Sequence, residues 1–156
     1  MTPYVGVVGP GDAPPALERL AYEVGERLAR AGAVVLCGGL GGVMAAAAGG
    51  AAAGGGTSIG LLPGTDRTTG AEALTYALTT GLGELRNGLL VSASDGLVAV
   101  GSSWGTLNEV ALAVRLGKPV VALRGWRITD DGADVTGIVT ADSAEHAVTR
   151  LLHLLA

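Results

Sequence analysis

Short apolar runs of four or five residues alternate along this chain with longer stretches in which apolar positions recur every three or four residues. Tyr4–Val8, Ala33–Leu36, Ser58–Leu62, Leu97–Val100 and Pro119–Leu123 are runs of the length and β-branched content that a buried parallel strand needs, and Tyr76–Thr80 reads as a further short strand. Between the first two, Leu17, Leu20, Val24 and Leu28 share one face of a helix that begins at Pro14-Pro15 and stops before Gly32. An Ala-rich helix runs from the turn at Met44 to about Ala53, and Leu82–Ala93 reads as a helix with Leu85, Leu89 and Ser92 turned inward. After the Asp95 turn and its strand, Leu107, Val110, Ala111 and Val114 recur at i, i+3, i+4 and i+7, and Gly117-Lys118-Pro119 supplies a stop. Arg124–Val135 reads as turns, and Asp142–Leu155 is an amphipathic helix through Val148, Leu151, Leu152 and Leu155. Strands alternating with helices predict a doubly wound, mostly parallel α/β sheet of the Rossmann-like kind, with helices on both faces and a single domain spanning residues 1–156. Its ligand crevice is expected at the carboxyl ends of the strands.

Composition sharpens this picture. A chain of 156 residues with 49% hydrophobic residues and no Phe must build its core from Val, Leu, Ile and Ala, as parallel sheets covered on both faces do. The net charge is −4 and Lys and Arg nowhere cluster, which argues against nucleic acid as the main partner. A small anion can still be bound locally. Cys37 is the single cysteine, so there is no disulfide framework and no multi-cysteine metal site, in keeping with a reducing compartment. The N-terminal stretch lacks the features of a secretory signal, and no apolar run approaches the ~18 residues of a membrane span, so a cytoplasmic location with no membrane partner is expected.

Three glycine-rich turns follow predicted strands. Gly9-Pro10-Gly11 ends the first, Gly38-Gly39-Leu40-Gly41-Gly42-Val43-Met44 follows the second, and Gly101-Ser102-Ser103-Trp104-Gly105-Thr106 follows the Leu97 strand. Small residues between a buried strand and a helix N-terminus leave N–H groups and hydroxyls outward, where the helix dipole favours phosphate or carboxylate. Neither Gly9-Pro10-Gly11 nor Gly39-Leu40-Gly41 completes G-x-G-x-x-G, because Pro14 and Met44 stand at the sixth positions, and no acidic residue ends the second strand. NAD is therefore not expected. No Lys-Ser/Thr follows a glycine loop, which argues against a Walker-type ATPase. His146 and His153 have no third metal ligand near them in sequence, and Asp130, Asp131 and Asp134 lack calcium-loop spacing, so no metal site is expected.

Read together, Gly38-Gly39-Leu40-Gly41-Gly42-Val43-Met44, Arg86-Asn87 and Gly105-Thr106-Leu107-Asn108-Glu109 resemble a known pattern. It is that of the Rossmann-like family labelled "lysine decarboxylase", which contains the Lonely Guy type cytokinin-activating phosphoribohydrolases and the molybdenum-cofactor carrier proteins. Arg86 lies nine residues before Asp95 and twenty-three before Glu109, as in that family. The resemblance covers nearly the whole chain. It departs at Gly101-Ser102-Ser103-Trp104, where the hydrolases carry Pro-Gly-Gly, and its Arg86-Asn87 pair looks closer to the cofactor-carrier branch. Lys118, the only lysine, sits in a turn at the start of a strand, so the decarboxylase label does not carry over.

The resemblance implies a homodimer or higher homo-oligomer, with the Arg86 and Trp104 helices as candidate interface elements. It implies a phosphorylated small molecule as partner, with no cofactor required beyond a bound nucleotide or molybdenum-cofactor-like ligand. The ligand or phosphate would be held by Gly9, Gly38, Gly39, Gly41, Gly42, Met44, Arg86, Asn87, Gly101, Ser102, Ser103, Gly105 and Thr106. Were the protein an enzyme, Arg86 and Glu109 would be its catalytic pair, cleaving the N-glycosidic bond of a nucleoside 5′-monophosphate, with the carboxylate stabilising an oxocarbenium-like state. Thr106-x-x-Glu109 also reads as a capping box in which Glu109 only satisfies its own helix. Three functions stay open: a carrier or sensor that binds without turnover, which the Gly-Ser-Ser-Trp turn favours; a phosphoribohydrolase; and an oligomeric scaffold with purely structural turns.

Overall fold

In the computed structural model, which describes residues 1–156, strand β1 (Tyr4–Val8) lies at the centre of a parallel sheet. The chain leaves it through α1 (Pro15–Arg30), β2 (Val34–Cys37), α2 (Val43–Ala53), β3 (Ser58–Leu62) and β4 (Tyr76–Thr79), each strand adding to the same side. A single 3₁₀ turn at Gly83–Leu85 and α3 (Arg86–Ala93) then carry it back across the sheet to β5 (Gly96–Val100), on the other side of β1. From there α4 (Trp104–Arg115), β6 (Val120–Leu123), a hairpin of β7 (Thr129–Asp130) and β8 (Ala133–Asp134), β9 (Ile138–Ala141) and α5 (Ala144–Leu155) complete the fold. The strand order is β4-β3-β2-β1-β5-β6-β9, and every pair in this seven-stranded sheet is parallel. The expected doubly wound α/β architecture is therefore present, with the order reversing between β1 and β5.

Period-two alternation assigns side chains to two cores. Val5, Val7, Val98, Val100, Val121 and Leu123 face α1, α2 and α5, while Val8, Leu97, Ala99 and Val120 face α3 and α4. Three helices thus cover one face and two the other. Helices α1 and α2 touch backbone to backbone: a Cβ on Gly25 would stand 2.1 Å from the Ala47 carbonyl oxygen, and one on Gly50 would stand 1.9 Å from that of Tyr22. No helix is long and apolar enough to cross a membrane.

Several local expectations are corrected. Leu85, Leu89 and Ser92 do not face inward; they are exposed, and α3 instead buries Leu90 and Val91 against the sheet, with Ser94 just beyond its end. The helix begins at Arg86 because the preceding turn is 3₁₀, and this rotates the inward face by about one position. In α4 the buried stripe is Thr106, Glu109, Val110 and Ala113, which has the predicted spacing but lies one residue earlier; Ala111 is exposed and Leu107 and Val114 are half-buried. In α5 the buried residues are Ala144, Ala147, Val148 and Leu151, with Leu152 and Leu155 at the margin. Strand β9 was not signalled: Ile-Val-Thr-Ala is short, and only its pairing with β6 extends it.

Candidate functional site

The loops after β1 and β5 depart toward opposite faces of the sheet, and a cavity of about 150 Å³ opens between them. Val8, Gly9 and Gly11 form its floor, Met44 from α2 and Arg86 and Asn87 from the start of α3 form one wall, and Ser103, Gly105, Thr106 and Glu109 from the α4 N-terminus form the other. Motifs separated in sequence by more than forty residues thus meet at one point.

Each element reaches this point for a local reason. Gly9 is required because a Cβ there would stand 2.3 Å from the Val100 carbonyl oxygen and 2.7 Å from Val43, so only glycine lets β1, β5 and α2 converge. Helix α4 is capped by Ser103, whose Oγ accepts from the Thr106 amide at 3.1 Å and shares a 2.9 Å hydrogen bond with the Thr106 hydroxyl. This excludes the capping-box reading of Glu109: Thr106 is inside the helix, and Glu109 lies a turn too far along to reach the cap.

Glu109 is 7% exposed, and its carboxyl makes no hydrogen bond within the chain. Burial raises its carboxyl from the ordinary 4.5 to about 7, with the positive charge of Arg86 pulling it back in part. Arg86 is half-buried; its Nη1 donates to Asn87 Oδ1 at 2.5 Å, while its Nε is buried with no partner. No ion pair joins Arg86 to Glu109, although both line the cavity. An orphaned buried N–H costs about 1–3 kcal/mol, a cost that the seating of the Arg86 guanidinium beside the crevice carries. Cys37, fully buried behind it, has its thiol pushed up to about 11 by desolvation, which keeps it protonated.

Of the residues singled out in sequence, Gly9, Met44, Arg86, Asn87, Ser103, Gly105, Thr106 and Glu109 come together here. The others do not line the cavity. Gly38 stands directly behind it, where a Cβ would be 2.5 Å from Met44 Sδ and 2.7 Å from Arg86 Nη2. Gly39 adopts φ +79° against Leu62, Gly42 adopts φ +59° against the Pro10 carbonyl, and Gly41 abuts Gly11; they shape the β2–α2 turn. Gly101 turns at φ +74° over Leu17, and Ser102 Oγ accepts the Trp126 amide at 2.6 Å. Val8 and Gly11 escaped attention because Gly9-Pro10-Gly11 fails the dinucleotide pattern, although that turn is the floor. Asp66 caps the 3₁₀ turn at Arg67–Thr69 and, with Thr65 and Arg67, does not reach the crevice. Lys118 Nζ donates to the carbonyls of Val91 and Ser92 at 2.8 Å each and to that of Ser94, locking the end of α3 beside the amino end of β6. No group of three His, Cys, Asp or Glu stands together anywhere in the molecule.

A parallel sheet whose order reverses at a glycine-floored crevice defines a Rossmann-like protein with its site at the switch point. The chain matches the model of the SLOG cluster4 family over residues 2–149 and belongs to that family. An uncharacterised protein of Archaeoglobus fulgidus is 39% identical over 120 residues, 77% of this chain and 79% of that one. The molybdenum cofactor binding protein from the phototrophic bacterium Rippkaea orientalis superposes with a TM-score of 0.90 at 34% identity, over 100% of this chain and 99% of that one. The molybdenum cofactor carrier protein of Chlamydomonas reinhardtii superposes with a TM-score of 0.85 at 34% identity, over 99% of each. The motif resemblance to the Lonely Guy superfamily, on its cofactor-carrier side, is borne out.

Proposed function

We propose that this protein binds a phosphorylated small molecule of the molybdenum-cofactor kind in the β1/β5 crevice and holds it without breaking it. The observation that carries this reading is Arg86, which has no carboxylate partner, lining a cavity floored by glycine and edged by the Ser103 and Thr106 hydroxyls at a helix N-terminus. These groups suit a phosphate: Arg86 supplies charge, Asn87 steadies its guanidinium, and Gly38 leaves it room. The metal of such a cofactor would be cargo held by its own organic ligand, since the crevice offers no metal-ligating cluster.

Glu109 favours a second reading, as a phosphoribohydrolase. A carboxyl with a pKa of about 7 opposite an arginine could support an oxocarbenium-like state. Yet Glu109 is the only carboxyl lining the crevice, which leaves no second acid to protonate a departing base. Holding is therefore the better-supported function. Incubation with a panel of nucleoside 5′-monophosphates, with Glu109→Ala alongside, separates the two. The expected outcome is no released base by chromatography, together with molybdenum comigrating with the protein after mixing with free cofactor. Base release that disappears in Glu109→Ala would make the protein a hydrolase.

We further infer a homo-oligomer assembled through the thinly covered face. Leu85, Leu89, Trp104 and Leu116 are exposed on the α3–α4 side, where only two helices shield the sheet.

A further inference from the structure

A second cavity, of about 420 Å³, lies over the β6 and β9 edge of the sheet, and it shares no lining residue with the β1/β5 crevice. Ala122 of β6 and Ile138 and Thr140 of β9 line it from the sheet, and residues 124–128, 134 and 135, which flank and include part of the β7–β8 hairpin, line it from the other side. Ile128 and Val135 give it apolar walls, and the Trp126 ring, 48% exposed, stands at its side. Its volume falls within the roughly 300–1,000 Å³ usual for small-molecule sites, whereas the crevice, at about 150 Å³, does not.

Charge gives the cavity a sign. Two arginines and one aspartate line it, but Asp134 is engaged by Arg127, through Nε at 2.6 Å and Nη2 at 3.3 Å. The exposed Arg124 guanidinium makes no ion pair and no side-chain hydrogen bond. It also holds φ +54°, a left-handed conformation that costs a residue with a Cβ of the order of 1–3 kcal/mol and that concentrates at ligand sites. The platform beside it is fixed: Trp126 packs edge-on against Trp104 with centroids 5.0 Å apart, and its amide donates to Ser102.

The geometry points to a second binding site here for a small planar aromatic anion, with its ring against Trp126 and the apolar walls and its carboxylate or phosphate on Arg124. The flat ring matches the exposed indole, and the unpaired guanidinium supplies the only free positive charge in the lining.

Titration of the protein with 1-naphthyl phosphate, followed by calorimetry and by the two indole N–H signals in NMR, tests this. Saturable binding is expected, with the Trp126 signal moving and with neutral 1-naphthol at least about tenfold weaker, as loss of one charge-assisted contact requires. Arg124→Gly removes the cation while accepting the positive φ, so it should melt no lower than the parent and lose about tenfold or more in affinity. Arg86→Gln should leave this binding intact, whereas stabilisation by inorganic phosphate, which reports the crevice, should depend on Arg86 and not on Arg124. Unchanged affinity in Arg124→Gly, loss of binding in Arg86→Gln, or no saturation up to about 1 mM would each overturn the assignment.

Discussion

Glu109 illustrates how one buried group shapes the crevice. Its carboxyl titrates near 7 in the folded chain against an ordinary 4.5, so the fold prefers its protonated form. The stability it contributes is fully present below about 4.5, is lost as pH rises through 7, and is constant above that. At 1.36 kcal/mol per unit the loss reaches at most about 3 kcal/mol. Glu109→Gln should therefore be progressively more stable than the parent between pH 5 and 8, read as the difference in urea midpoints; equal midpoints at pH 8 would contradict the burial argument. A neutral Glu109 also repels an anion less, so phosphate should bind more tightly as pH falls toward 7. At Gly38, a Cβ would push on Met44 Sδ and Arg86 Nη2. Gly38→Ala is expected to cost about 1–3 kcal/mol and to abolish thermal stabilisation by phosphate, because the guanidinium must move.

Helices set the tolerance of this fold to substitution. Helices α1 and α2 approach so closely at Gly25 and Gly50 that an added methyl meets backbone carbonyl oxygen and no flexible side chain can yield. Gly25→Ala or Gly50→Ala should lower stability by about 1–3 kcal/mol or more, even though alanine is the better helix former. Chemical denaturation decides this, and a stabilised variant would mean that intrinsic propensity outweighs the contact. The sequence signal here was the Ala- and Gly-rich composition of α2, which is hydrophobic all round and has no polar face to orient it. Its placement against α1 is settled only by the missing side chains.

For the whole molecule, the uneven cover of the sheet matters most. Three helices seal one face, and α3 and α4 are the only helices on the other, with Leu85 79% and Leu89 42% exposed. If copies associate through that side, the double variant Leu85→Lys, Leu89→Lys should sediment as a monomer with its melting temperature little changed. A wild-type protein already monomeric at high micromolar concentration would remove this interface. The sequence reading of Leu85 and Leu89 as inward residues fails here, because apolar residues at helical spacing do not by themselves fix which face of the helix meets the sheet.

What the sequence determined unaided was whatever depends on neighbours along the chain. Runs such as Leu97–Val100 must be buried strands, turns such as Gly38–Gly42 must end them, and the spacing of Arg86, Thr106 and Glu109 carries the family pattern whatever the fold does with it. Tertiary structure decided the rest, because strand order is non-local. Reversal of that order beside β1 places the crevice at Gly9 and Gly11, leaves Gly39, Gly41, Gly42, Gly101 and Ser102 outside its lining, and recruits β9 against β6. It also puts Glu109 on the buried stripe of α4 facing Arg86. Packing against the sheet chooses which side of a helix loses its water, and that desolvation gives Glu109 its raised pKa.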